Sequence, residues 1–361
     1  MVVLRRPAAR RAGELAGRPA PAPALVGKAC QHMRKNGSLC RRLCPLYAAA
    51  AAILLALAAH ARAQTPRFPS RPIEITVSYG AGGSTDIVAR AIAQKLQKRL
   101  GQPVVVRNMP GASGTLGAAA VARAVPDGHS LYAGFTSETA VVPQVSKVAK
   151  YSLDDFDPIA VTGIVPVALI ASRNVRANDF AGLIAELKAA PGKYTYGGSL
   201  ASPSHVMGAW LNRLFQLDVI HVPYRGGAQA VADVSGGHVD MFYAGVAPAK
   251  AAIDSGLVKA FAVTGEARSA ALPQVPTFKE AGVADLELGS WTVLLAPKGT
   301  PADVVALLKR ETLLALDDPH VRALFAAQGV EPSPTQDVRA FLAGEREKFG
   351  KVVRELGITM D

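Results

Sequence analysis

Cysteine is nearly absent from this chain. Its three cysteines, Cys30, Cys40 and Cys44, all fall in an amino-terminal stretch, so everything beyond it lacks both a disulfide framework and a thiol nucleophile. No serine stands in a G-x-S-x-G elbow, which removes the usual support for serine hydrolysis. The histidines beyond residue 63 (His129, His205, His221, His238 and His320) form no H-E-x-x-H pattern and have no cysteine partner, so a metal site has no support. A basic surface for nucleic acid is missing as well. The formal charge of +12 comes from residues 1–63, which hold 11 Lys+Arg against the single acidic residue Glu14; the remainder is near balance, with 29 Lys+Arg and 27 Asp+Glu. Outside the same stretch, no segment approaches the ~18 consecutive apolar residues of a membrane span.

What the amino-terminal stretch does contain is a leader. Leu46 to Ala59 (LYAAAAAILLALAA) is apolar, Arg41 and Arg42 precede it, and Ala61-Arg62-Ala63 follows as a small-x-small cleavage site. This predicts a secretory signal peptide over residues 1–63, cleaved before Gln64, and a periplasmic mature chain. The region ahead of the apolar core is long against the ~15–30 residues of an entire signal. Met33-Arg34-Lys35 therefore predicts the true translation start. Cys44 precedes the apolar run instead of following it, so no lipid anchor is expected. The 298 residues from Gln64 to Asp361 are enough for two α/β domains.

Strand and helix patterns alternate along those residues. Ile73 to Tyr79 reads as a strand and Thr85 to Leu100 as a helix, with Ile87, Val88, Ile92, Leu96 and Leu100 on one face and Gly101 ending it. A strand at Val104 to Val106, a helix at Thr115 to Ala124 and a strand at Ser130 to Phe135 continue a βαβ layout with a mostly parallel sheet. Val165 to Ser172 and Ser290 to Pro297 are two similar apolar strands around a middle segment with its own βα alternation. They predict a chain that crosses out to a second domain and back. The expected division is residues 67–163 plus 290–361 for the first domain and 164–289 for the second, with helices near 301–316, 319–328 and 335–356 at the carboxyl end.

Three polar loops are candidates for chemistry. Gly80-Ala81-Gly82-Gly83-Ser84-Thr85 lies between a strand and a helix, where unpaired amides and the helix dipole favour an anion. It has Thr85 where a dinucleotide fingerprint needs its third glycine, and no Walker lysine. Two readings stay open: an anion cradle, or a tight turn capped by Ser84 or Asp86. Gly197-Gly198-Ser199-Leu200-Ala201-Ser202-Pro203-Ser204-His205 has the same character in the second domain, with His205 reading as a capping or packing histidine more readily than a catalytic one. Val222-Pro223-Tyr224-Arg225-Gly226 offers a guanidinium fork suited to a carboxylate and an aromatic wall.

Taken together, Phe68-Pro69-Ser70-Arg71-Pro72-Ile73, Gly82-Gly83-Ser84-Thr85-Asp86, Leu100-Gly101-Gln102-Pro103-Val104-Val105-Val106, Pro126-Asp127-Gly128, Ser202-Pro203-Ser204-His205, His221-Val222-Pro223-Tyr224-Arg225-Gly226 and Leu295-Ala296-Pro297-Lys298-Gly299-Thr300-Pro301 resemble the Bug family. These are the extracytoplasmic solute receptors of tripartite tricarboxylate transporters. The resemblance implies a two-domain periplasmic-binding-protein fold of the α/β class, with a ligand cleft between the domains. It implies capture of a small organic carboxylate by a monomeric receptor, without catalysis, cofactor or metal, and delivery to membrane permease subunits. An alternative is a receptor of the same fold that signals to a two-component sensor kinase. Ligand contact is carried onto Gly82, Gly83, Ser84, Thr85, Asp86, Thr136 and Ser137 in the first domain, and onto Ser202, Ser204, His205, Tyr224, Arg225 and Gly226 in the second.

Three departures from the family pattern bear on the ligand. Ser78-Tyr79 stands where Pro-Phe is usual, the 197–205 loop is one residue shorter, and Glu138 puts a carboxylate where small polar residues are usual. Glu138 is expected to extend preference toward an acid bearing an amine or other donor. Asp86 is expected to organise the first loop, since a carboxylate beside an anion would repel it.

Overall fold

The computed structural model describes residues 68–360 apart from 284, 285, 287, 334 and 336. The leader, its cleavage site and Met33 lie outside the described residues. In chain order the elements begin β1 (Ile73–Val77), α1 (Ser84–Leu100), β2 (Val104–Asn108), α2 (Thr115–Ala122), β3 (Ser130–Phe135) and β4 (Phe156–Val165). The chain continues through β5 (Val167–Ser172), α3 (Phe180–Ala189), β6 (Thr195–Gly198), α4 (Pro203–Phe215), β7 (Ile220–Pro223) and α5 (Gly227–Gly236). It ends with β8 (Met241–Gly245), α6 (Val246–Asp254), β9 (Val258–Val263), β10 (Ser290–Pro297), α7 (Ala302–Leu316), α8 (Pro319–Ala327) and α9 (Val338–Glu355).

These strands form two five-stranded sheets with the same plan, ordered β2-β1-β3-β10-β4 and β7-β6-β8-β5-β9. In each, the first three strands are mutually parallel and the fourth runs antiparallel to the third. Both sheets are covered on both faces, and alternate residues of a strand enter different cores. Ile73, Ile75 and Val77 pack with Val88, Ile92 and Leu96 of α1 and with Leu308 of α7. Ala168 and Ile170 face Ala230, Val234 and Ala249, whereas Leu169 and Ala171 face Tyr196, Met207 and Trp210. The core holding Leu169 also holds Tyr132, Val161 and Trp291 of the first sheet. Burying a side chain such as Ile75 completely contributes roughly 1.5–3 kcal/mol.

The crossing from one sheet to the other orients the molecule. The apolar run expected to begin at Val165 divides at Pro166, because proline cannot donate to a ladder. Val165 pairs with Ser290 at the end of the first sheet where β3 terminates, and Val167 pairs with Gly245 at the end of the second sheet where β8 terminates. Two residues span only about 7 Å. The carboxyl ends of the parallel strands in the two sheets are therefore brought toward each other.

Candidate functional site

In each sheet the chain leaves the central parallel strand in opposite directions, β1 toward β2 and β3, β6 toward β7 and β8. Such switch points open crevices outside the carboxyl ends of the strands, where ligands of open α/β sheets bind. The 80–85 loop follows β1 and the 136–138 turn follows β3, so the two flank the first crevice. The 199–202 loop follows β6 and flanks the second.

Residues Gly80 to Gly83 are exposed, and Gly82 holds a φ of 85°, a conformation that glycine adopts without strain. Gly83 is the N-cap of α1 and has no side chain to spend on the opening amides of the helix. Neither Ser84 nor Asp86 is the N-cap. Asp86 is 2% exposed and reaches back, with Oδ2 accepting from the Gly82 amide and Arg90 Nε, both at 2.9 Å, and Oδ1 accepting from Asn108 Nδ2 at 2.8 Å. Asn108 also donates to the Tyr79 carbonyl at 3.0 Å, which ties the start of the loop to the end of β2. Burial opposes ionisation of Asp86, but the bonds from Arg90, Gly82 and Asn108 outweigh it and hold its pKa below the usual carboxylate value. The carboxylate thus shapes the loop from beneath. Asp86→Ala is expected to lower stability by about 1–3 kcal/mol, the cost of stranding buried donors, and to weaken carboxylate binding; urea denaturation and calorimetric titration read the two effects. Unchanged stability with tighter binding would refute the organising role.

Glu138 is fully buried. Its Oε2 accepts from Tyr79 Oη at 2.5 Å, and its Oε1 accepts from Tyr132 Oη at 3.0 Å and from the Phe135 amide at 2.5 Å. Ser78 Oγ donates to the Gly114 carbonyl at 2.7 Å and lies 2.8 Å from Tyr132 Oη. Ser78, Tyr79 and Glu138 therefore belong to one hydrogen-bonded unit, which also takes in Tyr132. This corrects the expectation that Glu138 meets a ligand donor directly, since both of its oxygens are enclosed by protein donors. Burial pushes its pKa up to about 7 against the bonds from Tyr79, Phe135 and Tyr132. Thr136 is also enclosed: its Oγ1 accepts from the Trp291 amide at 2.8 Å. Ser137 is buried at the head of the short helical turn 137–141.

In the second sheet, Ser202 caps α4 by accepting from the His205 amide, and its hydroxyl donates to the Ser199 carbonyl at 2.6 Å beside Ser204 Oγ at 2.7 Å. Ala201 sits in the left-handed region with a φ of 54°, and its amide donates to His205 Nδ1 at 3.2 Å. His205 stacks on His221 with centroids 4.1 Å apart, and His221 Nε2 meets the Gly198 carbonyl at 2.9 Å. Burial and the neighbouring His221 lower the His205 pKa to about 4. At neutral pH two uncharged imidazoles, His205 in the first turn of α4 and His221 on β7, therefore pin the backbone of this loop. Tyr224 lays its ring against Gly197 and donates its hydroxyl to Asp233 at 2.7 Å. Arg225 and Gly226 are exposed just before α5, and no hydrogen bond or ion pair holds the Arg225 guanidinium among the described residues.

The site residues thus differ in how far they are committed within the protein. The side chains of Asp86, Thr136, Ser202, His205 and Tyr224 are bonded within the protein. Gly83, Ser84, Arg225 and Gly226 are the more exposed members, Gly82 is exposed but gives its amide to Asp86, the Ser204 hydroxyl is bonded to Ser202, and Thr85 and Ser137 lie buried. Asn108, Tyr132 and His221 escaped the sequence reading as supports, because each acts across sheet neighbours and leaves no local pattern. Among the described residues no three His, Cys, Asp or Glu side chains gather as a metal-holding group, and no helix is long and apolar enough to cross a membrane. A hollow lined by Leu153, Phe156, Pro158, Leu295 and Leu342 lies at the opposite end of the first sheet from these loops.

Residues 88–358 match TctC, described as "Tripartite tricarboxylate transporter family receptor". Protein BugT of Bordetella pertussis is 36% identical over 300 residues, covering 80% of this chain and 90% of BugT. Among solved structures, MatC from Rhodopseudomonas palustris with bound malate is 32% identical with a TM-score of 0.70, covering 80% of this chain and 100% of MatC. R. palustris Rpa4515 with adipate is 29% identical with a TM-score of 0.73, covering 81% of this chain and 99% of that one. The chain belongs to the tripartite tricarboxylate transporter receptor family, as a solute-binding protein of the Bug type and not an enzyme.

Proposed function

We propose that this protein captures a small organic carboxylate in the periplasm, between the 80–85 and 198–205 loops, and delivers it to the permease of a tripartite tricarboxylate transporter. The observation that carries the reading is the pair of helix starts at α1 and α4, set on crevices whose open ends are turned toward each other. Amides there supply charge-assisted hydrogen bonds to an anion without bringing a mobile counter-charge. Malate and adipate, held by the two R. palustris relatives, belong to the ligand class this arrangement suits.

In this reading Gly82, Gly83, Ser84 and Thr85 meet the carboxylate from the first sheet, with Asp86 holding their loop and Thr136 and Ser137 closing its floor. Ser202, Ser204 and His205 meet it from the second, joined by Tyr224, Arg225 and Gly226. The halves 67–163 plus 290–361 and 164–289 close on the ligand about the crossings at Pro166 and ahead of Ser290. A thermal-shift screen of the periplasmic protein against malate, adipate, other mono-, di- and tricarboxylates and acidic amino acids tests the reading. A ligand at 100 times its dissociation constant adds about 2.7 kcal/mol of stability. A screen in which none of these acids shifts the transition would contradict it.

A further inference from the structure

The hydrogen bonds beneath the first loop contain one more contact than they have protons. Three contacts run in series: Tyr132 Oη to Glu138 Oε1 at 3.0 Å, Ser78 Oγ to Tyr132 Oη at 2.8 Å, and Ser78 Oγ to the Gly114 carbonyl at 2.7 Å. A carbonyl only accepts, and each hydroxyl has one hydrogen. With Glu138 ionised, Ser78 and Tyr132 together supply two protons for three contacts, so one close pair of oxygens would face each other with no hydrogen between. A proton on Glu138 Oε1 completes the series. Glu138 then donates to Tyr132, Tyr132 to Ser78, and Ser78 to Gly114. Tyr79 still donates to Oε2 and the Phe135 amide to the remaining lone pair of Oε1.

The bonds from Tyr79, Phe135 and Tyr132 favour the ionised form, and burial outweighs them. The side chains facing it are the hydroxyls of Tyr79 after β1 and Tyr132 on β3, while Tyr151, ahead of β4, donates to the main-chain carbonyl of Glu138 at 2.7 Å. Gly114, before α2, packs so closely that a Cβ placed on it would lie 3.1 Å from the Cβ of Glu138. α9, which packs on the 137–141 turn, carries Arg339, bonded to Asp157, Glu345, held by the Trp291 indole and Lys348, Arg346, bonded to Asp154, Arg354, beside Gly350, and Glu347, Lys351 and Glu355; none of them bonds Glu138. Among the described residues no cation pairs with Glu138. Desolvation therefore acts unopposed by an ion pair, in keeping with its raised pKa of about 7.

We infer that Glu138 is held as a neutral carboxylic acid beneath the 80–85 loop, and that an anion in that loop tightens its hold on the proton, so that capture and protonation are linked. Glu138 is a positioning residue here: it grips Tyr79, the residue before Gly80, and through it sets the loop. Its negative charge, if present, would lie buried under the site of a second negative charge, in a region where such repulsion is poorly screened. By linkage, whatever favours the neutral acid favours the anion, and the reverse. The linkage rests on the proposed capture of a carboxylate; the protonation does not.

The full chain, labelled with ¹³C at the glutamate carboxyls, provides the test by NMR titration. The Glu138 signal is assigned by its loss in Glu138→Gln, or by through-bond assignment in the wild-type protein should that variant not fold. The expected midpoint is about 7, apart from the other glutamates. A Glu138 signal that titrates with them, with or without malate, overturns the inference. Malate and adipate are then titrated calorimetrically at about pH 6 and about pH 9; affinity is expected to fall roughly tenfold at the higher pH, with proton uptake on binding, and not to fall in Glu138→Gln. A flat profile in the wild type overturns the linkage. Failure of both acids to bind at either pH, with Glu138 still titrating near neutrality, overturns carboxylate capture while the protonation stands.

Discussion

Arg225→Ala is expected to leave the fold intact and to weaken carboxylate capture by about 2–5 kcal/mol, the range for truncating one member of a desolvated charge pair. The first half follows from what Arg225 does in the ligand-free protein: it is exposed and bonded to nothing among the described residues, so its removal strands no partner. Surface changes of that kind alter stability by about 0.5 kcal/mol or less. The second half follows from where it stands. It precedes Gly226, the N-cap of α5, at the carboxyl end of β7, beside the loop that leads into α4. His205 is uncharged at neutral pH, which leaves the guanidinium as the full positive charge among the residues assigned to this half of the site. Arg225→Lys should fall between, since an ammonium keeps the charge and loses the two-pronged fit to a carboxylate. Calorimetric titration with malate decides: an unchanged dissociation constant in Arg225→Ala would remove Arg225 from the site.

A second large effect is expected in the pH dependence of stability. The Glu138 pKa is raised from its ordinary 4.5 to about 7 in the folded protein. The native state therefore holds this proton more tightly than the unfolded chain does. The contribution is whole below about pH 4.5 and is lost as pH rises through about 7, amounting to about 3 kcal/mol. His205 acts in the opposite sense over the same span. Burial and His221 lower its pKa from 6.5 to about 4, so its neutral form is favoured and its contribution is lost as pH falls from 6.5 through about 4. The two tend to cancel in the wild-type curve. The difference between wild type and Glu138→Gln in urea denaturation isolates the carboxyl, and the wild type's relative stability should decline by that amount between about pH 4.5 and 7. A difference that stays constant across the interval would contradict the buried, proton-retaining Glu138.

How much of this was legible beforehand depended on whether a feature is local. β1, α1 and Gly101 announced themselves through alternation, helical spacing and a left-handed cap at a φ of 69°. So did the repeated strand-to-helix loops, because glycines and capping residues act over a few positions. β4 was not read, since Asp157, Pro158, Thr162 and Gly163 dilute its apolar run; as the edge of the first sheet it tolerates that proline. α3 was passed over although Asp179 caps it and Phe180, Leu183, Ile184 and Leu187 form its buried face. The support of the site was hidden for a different reason. Asp86 meets Asn108 across 22 residues and Tyr79 meets Glu138 across 59, and only the pairing of parallel strands brings such residues together. Ser78-Tyr79 and Glu138 each stood out from the family pattern, but nothing in the one-dimensional chain said that they were parts of one cluster.

The most direct measurement is a ¹⁵N NMR titration of the protein with malate and adipate, following backbone amides. Binding between the two helix starts should produce saturable shifts at Gly82, Gly83, Ser84 and Thr85 together with Ser204, His205 and Gly226, all fitting one dissociation constant. Saturable binding that leaves either loop unmoved, or no saturable binding by either acid, would contradict the account.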